Sequence, residues 1–171
     1  MFPRGVAAAV ENIDVRIEDV SGDAMREGGA RFGTLVHALL ANVPLDASED
    51  VEQLASAHGR VLGASPEEVR SAIDLVRRVL QHSIFADAAR AAKDGRCYRE
   101  TPVTLRLESG GLIEGFVDLA FEVDGQMIVV DFKTDRELEG AIETYRRQVQ
   151  IYAHAISAAT GRQTRGILMK I

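Results

Sequence analysis

Apolar positions along the chain change period midway, from helical spacing to strand-like runs. From Arg31, residues Phe32, Leu35, Val36, Leu39 and Leu40 recur at helical intervals, which predicts a helix with one apolar face, ended by Pro44. A second helix is expected after Ser48. A third is better signed, with Ser65 as N-cap, Pro66 at the first helical position and Glu68 completing a capping box. Its stripe of Val69, Ile73, Val76 and Leu80 should pack inward. Between Cys97 and Leu107 the composition turns β-prone, and Ser109-Gly110-Gly111 leads into a strand over Leu112 to Val123. Asp124-Gly125 then reads as a two-residue hairpin loop before Gln126 to Lys133. A long helix from about Arg136 to Thr160 follows, its stripe running Leu138, Ile142, Tyr145, Val149, Tyr152 and Ile156, and a strand near Gly166 to Ile171 closes the pattern. Before Arg31, Ile13, Val15 and Ile17 alternate with charged residues as an edge strand would, and Gly22, Gly28 and Gly29 punctuate a loop.

These elements predict one α/β domain over residues 1–171: an ill-defined segment at 1–30, a helical part at 31–95, and a sheet with its long helix at 96–171. A length of 171 residues suits a single core. The lone Cys97 excludes a disulfide framework, a four-cysteine iron-sulfur cluster and a cysteine-rich zinc site. No apolar run approaches the roughly 20 residues of a membrane span, and Val6 to Val10 is too short and poorly flanked for a signal peptide, so the cytoplasm is the expected location. The net charge of -6 gives no global attraction to a polyanion. Any such ligand must be held locally. Only Lys93, Lys133 and Lys170 are lysines, which singles out the one inside VVDFKTD.

The hairpin places chemistry. With Asp124-Gly125 as its loop, Val123 pairs with Gln126, Phe121 with Ile128, Leu119 with Val130, and Asp118 with Asp131. Opposed residues have Cβ atoms about 4.5 to 5.5 Å apart, and like charges there destabilise. At an effective dielectric near 20 the repulsion at about 4 Å is roughly 4 kcal/mol, so something must compensate: a divalent cation, a shared proton or a basic side chain. Lys133, two residues beyond Asp131, shares its strand face. One ammonium beside two carboxylates leaves a net negative pocket suited to a hard cation; a structural Asp-Lys ion pair, with Asp118 turned to solvent, is the alternative. His37 lies about 130° around its helix from the centre of the apolar stripe, at about 100° per residue, and so is poorly placed as a core histidine. Gln148 and Tyr152, four apart, share a helix face. Arg146 and Arg147 fall outside the stripe and could touch phosphates, or simply form a solvated face.

Five strings carry a resemblance: GTLVH at Gly33 to His37, RETP around Glu100, GFVD at Gly115 to Asp118, VVDFKTD at Val129 to Asp135, and QVQIY at Gln148 to Tyr152. Over about residues 31 to 171 their order resembles the PD-(D/E)XK nuclease superfamily, and most of all the RecB/AddA-type nuclease domains attached to DNA helicases. The resemblance implies a restriction-endonuclease-like mixed sheet flanked by helices, with a helical N-terminal half. It implies Asp118 and Asp131 as metal-binding carboxylates, His37 joining them, and Lys133 as the catalytic lysine. Glu100 and Gln148 match motif positions near the site, Tyr152 is a packing partner, and Arg147 is a candidate DNA contact.

The activity so implied is Mg2+- or Mn2+-dependent hydrolysis of DNA, single-stranded or at duplex ends, in repair or recombination, beside or within a helicase. A non-catalytic DNA-binding or scaffolding domain of the same fold is the competing expectation, although such a domain would be expected to have lost the aspartates or the lysine. An enzyme of small phosphate compounds finds no support, because the chain has no glycine-rich phosphate loop.

Overall fold

The structure, a computed structural model, describes residues 10, 12–21, 29–46, 51–106 and 110–171. The described residues form a five-stranded mixed sheet in the order β1-β5-β4-β3-β2. Its strands are β1 (Val15–Asp19), β2 (Cys97–Arg106), β3 (Leu112–Val123), β4 (Gln126–Lys133) and β5 (Thr164–Lys170). The β1-β5 and β5-β4 pairs are parallel, the β4-β3 and β3-β2 pairs antiparallel. Helices α1 (Ala30–Asn42), α2 (Val51–Leu62), α3 (Pro66–Leu80) and α4 (Ser83–Lys93) belong to one layer. They bury Leu35, Val36, Leu39 and Phe85 against Leu119, Phe121, Val130 and Phe132 of the sheet. After the short α5 (Asp135–Leu138), α6 (Ile142–Thr160) covers the opposite face, packing Ile151, Tyr152 and Ile156 on Val117, Ala120, Met127 and Val129.

Local chemistry explains the elements. Ser65 Oγ accepts the Glu68 N–H at 3.2 Å and Glu68 Oε2 accepts the Ser65 N–H at 2.8 Å, the capping box that starts α3. Asp124 at φ 50 and Gly125 at φ 75 make the two-residue loop joining β3 to β4, the positive-φ pair whose twist matches a hairpin. The resulting register is the expected one from Val123-Gln126 to Leu119-Val130.

Two expectations shift. The helix placed over Arg136 to Thr160 is broken by Glu139 and Gly140, so its stripe is split: Leu138 is buried in α5, and Ile142 at the start of α6 is 38% exposed. The buried side of α3 is Ala72, Leu75, Val76, Val79 and Leu80, with Val69 and Ile73 on its flank. Strand β1 forms the expected edge, while Gly22 and Gly28 lie outside the described residues, as do Ser48, Leu107, Ser109 and most of Val6 to Val10.

Candidate active site

The sheet loses its regularity at one rung. Strands β2 and β3 pair Arg99 with Leu119 and Thr101 with Val117, but the pair between them, Glu100 and Asp118, is missing from the ladder, and Glu100 has φ 46. On the other side of β3, pairing with β4 stops at Leu119-Val130, one step short of Asp118 and Asp131. The expected backbone rung between the two aspartates is replaced by a side-chain bond: Asp118 Oδ2 accepts the Phe132 N–H at 2.7 Å.

Alternation of faces breaks at the same place. Leu119 and Phe121 pack under α1 and α4, whereas Val117 and Ile113, at positions of the same parity, pack under α6. Strand β2 does likewise, with Cys97 on the first layer and Val103 and Leu105 on the second. Residues two apart should share a face, so both strands make a half-turn at Glu100 and Asp118. The consequence is chemical. Asp118, at the turn, lies within reach of His37 from the α1 side and of Asp131 and Lys133, which follow Val129 in parity and belong to the α6 side.

Lys133 Nζ lies 2.6 Å from Asp131 Oδ2, donates to the Phe132 carbonyl at 3.1 Å and sits 5.1 Å from the centroid of the Tyr145 ring. His37 Nδ1 is 3.7 Å from Asp118 Oδ1, an ionic contact longer than a hydrogen bond, and its ring meets Phe132 edge-on at 6.3 Å. Burial, and then the Asp118 charge, push the Asp131 carboxyl up to about 6 even with Lys133 beside it. Burial alone would lower Lys133 and His37; the carboxylates of Asp131 and Asp118 respectively outweigh it, and both bases are raised. Glu100 is raised by burial and then by Asp118. A cavity of about 790 Å3 opens over this rung, lined by Gly33, Thr34, His37, Glu100, Thr134 and Glu137 among others.

The donors suit a hard divalent ion: carboxylate oxygens of Asp118 and Asp131 with an imidazole nitrogen of His37. Asp131 Oδ2 is buried and makes no aligned hydrogen bond despite the nearby ammonium, which leaves a lone pair for a cation. Among the described residues, no three His, Cys, Asp or Glu side chains are drawn close enough to hold a metal as they stand, and Lys133 supplies the positive charge.

Gln148 Nε2 donates to Tyr152 Oη at 2.8 Å. Tyr152 is buried, and Gly115 of the GFVD string makes room for it, since a Cβ at Gly115 would lie 2.2 Å from its hydroxyl. The two motifs therefore brace each other across the α6 side of β3. Arg147 is half-buried and donates to Gln150 at 3.3 Å. Two residues escaped the sequence reading. Arg99 donates to the Leu40, Ala41 and Val43 carbonyls, capping the C-terminus of the helix that carries His37. Glu137 lines the cavity, accepts from the Thr134 N–H and hydroxyl at 2.8 and 2.7 Å, and helps raise His37 and Lys133. The spacing Thr134-x-x-Glu137 was its signal.

Known proteins share this arrangement of sequence. A profile of the PD-(D/E)XK nuclease superfamily matches residues 13–169. An ATP-dependent helicase/nuclease subunit of Streptococcus sanguinis is 30% identical over 154 residues, 82% of this chain and 12% of that protein. Its namesake in Alkaliphilus oremlandii is 26% identical over 156 residues, 80% of this chain and 13% of that protein. That of Ligilactobacillus salivarius is 25% identical over 179 residues, 94% and 14% respectively. The chain thus spans about an eighth of the length of the curated relatives it matches. Because the match runs from before β1 into β5 and takes in every strand that builds the broken rung, the chain belongs to the PD-(D/E)XK nuclease superfamily.

Proposed function

We propose that this domain is a Mg2+- or Mn2+-dependent deoxyribonuclease that hydrolyses phosphodiester bonds at DNA ends, in the cytoplasm, as part of repair or recombination and beside a helicase. The observation that carries the reading is the single network of His37, Asp118, Asp131 and Lys133, which His37 joins to the cavity it lines. The helicase association draws on relatives whose name joins helicase and nuclease. Among the described residues no helix is long and apolar enough to cross a membrane.

Asp118, Asp131 and His37 would hold the cation, which when bound supplies Lewis-acid chemistry at a phosphate oxygen. Lys133 keeps its proton at neutral pH because the Asp131 charge outweighs its burial. It therefore serves as a fixed positive charge for the developing phosphorane rather than as a base. Glu100 faces the cavity and would orient the attacking water; Gln148, through Tyr152, is a positioning residue for β3. Arg147 is at most a phosphate contact on the flank. Since the chain carries a net charge of -6, substrate must be held at this local site rather than by the overall field.

A non-catalytic DNA-binding or scaffolding role is favoured by one observation, the ammonium of Lys133 resting 2.6 Å from the Asp131 oxygen that a cation would use. End-labelled single- and double-stranded DNA incubated with Mg2+, Mn2+ or EDTA separates the two. The nuclease reading expects metal-dependent products that fall by about 100-fold or more in Asp131→Asn and Lys133→Ala. Intact DNA under every metal condition would support scaffolding.

A further inference from the structure

Of the phenylalanines among the described residues, Phe32, Phe85, Phe121 and Phe132 are at most 9% exposed, but Phe116 is 61% exposed. The half-turn at Asp118 is what puts it outside: Gly115 and Val117 face α6, so Phe116 faces the α1 side, beyond the end of the helical cover. Pro102 lies directly across from it on β2 and is also exposed; further along the same face come the polar pair Glu114-Thr104 and then Leu112 opposite Arg106. Phe116 is two residues from Asp118, about 6.6 Å along the strand, and Pro102 is two residues from the cavity-lining Glu100. The apolar pair Phe116-Pro102 thus lies two rungs out from the candidate active site, ahead of the polar pair Glu114-Thr104.

We propose that Phe116, flanked by Pro102, is a stacking platform for a base of an unpaired DNA strand whose neighbouring phosphate enters the cavity. The proposal rests on the nuclease reading above and adds strand preference to it. A base in a duplex is stacked on its neighbours and cannot lie on an aromatic ring, whereas an unpaired base can. Charge points the same way. A chain of net charge -6 gains little from non-specific phosphate contacts, so much of the grip on a strand must come from a contact without charge, and stacking is such a contact.

Fluorescence anisotropy with a labelled single-stranded oligodeoxynucleotide, Ca2+ replacing Mg2+, measures this apart from cleavage. Phe116→Ala and Phe116→Leu should each weaken binding about tenfold, and Phe116→Trp should keep it, with circular dichroism unchanged because the side chain is exposed. The loss should be the same at low and high salt and absent for duplex DNA. An abasic nucleotide beside the scissile phosphate should cost the wild type a similar factor and cost Phe116→Ala nothing. Equal affinities of wild type and both truncations, an equal loss on duplex, or no single-strand binding by the wild type would overturn the platform and leave the face to a protein partner. Phe116-dependent binding without metal-dependent cleavage would overturn the nuclease reading alone; cleavage with binding indifferent to Phe116 would overturn the platform alone.

Discussion

The Asp118 carboxylate is divided among neighbours: Oδ2 replaces a lost sheet bond to Phe132, Oδ1 faces His37, and its charge reaches Asp131. Asp131 carries the measurable consequence. Its folded-state pKa of about 6 exceeds the 3.8 of an unperturbed aspartate, so the folded chain holds that proton more tightly than the unfolded chain. The resulting stabilisation is complete below about pH 3.8 and is lost as pH rises through 6. His37, also raised, works in the same direction at higher pH. Urea unfolding of metal-free protein should show stability falling between about pH 4 and 6, by on the order of 2 to 3 kcal/mol from Asp131. Asp131→Asn should flatten that fall; a wild-type curve rising through this window would contradict the assignment. At this scale, strand parity alone made the Lys133-Asp131 pairing legible, and the helical wheel set His37 off its stripe. Glu100 was not legible, because alternation cannot be carried through a residue at φ 46 that glycine would ordinarily occupy.

The elements that build the site depend on close contacts as much as on pattern. At Gly115 an added methyl would meet Tyr152 at 2.2 Å, so Gly115→Ala must displace the ring and break its bond from Gln148. A loss of about 1 to 3 kcal/mol in urea unfolding and a fall in cleavage are expected, with Phe116→Ala, one residue along but exposed, nearly neutral in stability. Unchanged stability of Gly115→Ala would mean that α6 is not braced on β3 as described. The β3-β4 hairpin was readable because Asp-Gly demands a particular turn and the turn dictates register. The capping box of α3 was readable for a similar reason: each residue satisfies a specific orphan group. The half-turn shared by β2 and β3 was not, since it satisfies no local propensity and arises from two cores claiming successive parts of one strand. The break between α5 and α6 had Gly140 as its cue, but Leu138 and Ile142 continue a helical spacing across it and hide it.

At the scale of the whole molecule, a helical layer carrying His37 and a second layer carrying Gln148 and Tyr152 close on a sheet whose central strands bring a half-buried Asp118 and a buried Asp131 together at one end. If the proposed nuclease reading holds, so acidic a chain should bind DNA at that end through a local cation, and its DNA affinity should be lower in EDTA than in Ca2+. The proposed chemistry stands or falls with one divalent-ion site gathered at the broken rung from Asp118, Asp131 and His37. Electron paramagnetic resonance titration of Mn2+ into metal-free protein tests for it without recourse to activity, by counting the ions withdrawn from solution. One Mn2+ per chain is expected for the wild type, lost in Asp118→Asn and Asp131→Asn and weakened in His37→Ala, with circular dichroism unchanged in all. Equal Mn2+ binding by the wild type and both carboxylate variants would mean that the two aspartates do not hold the ion.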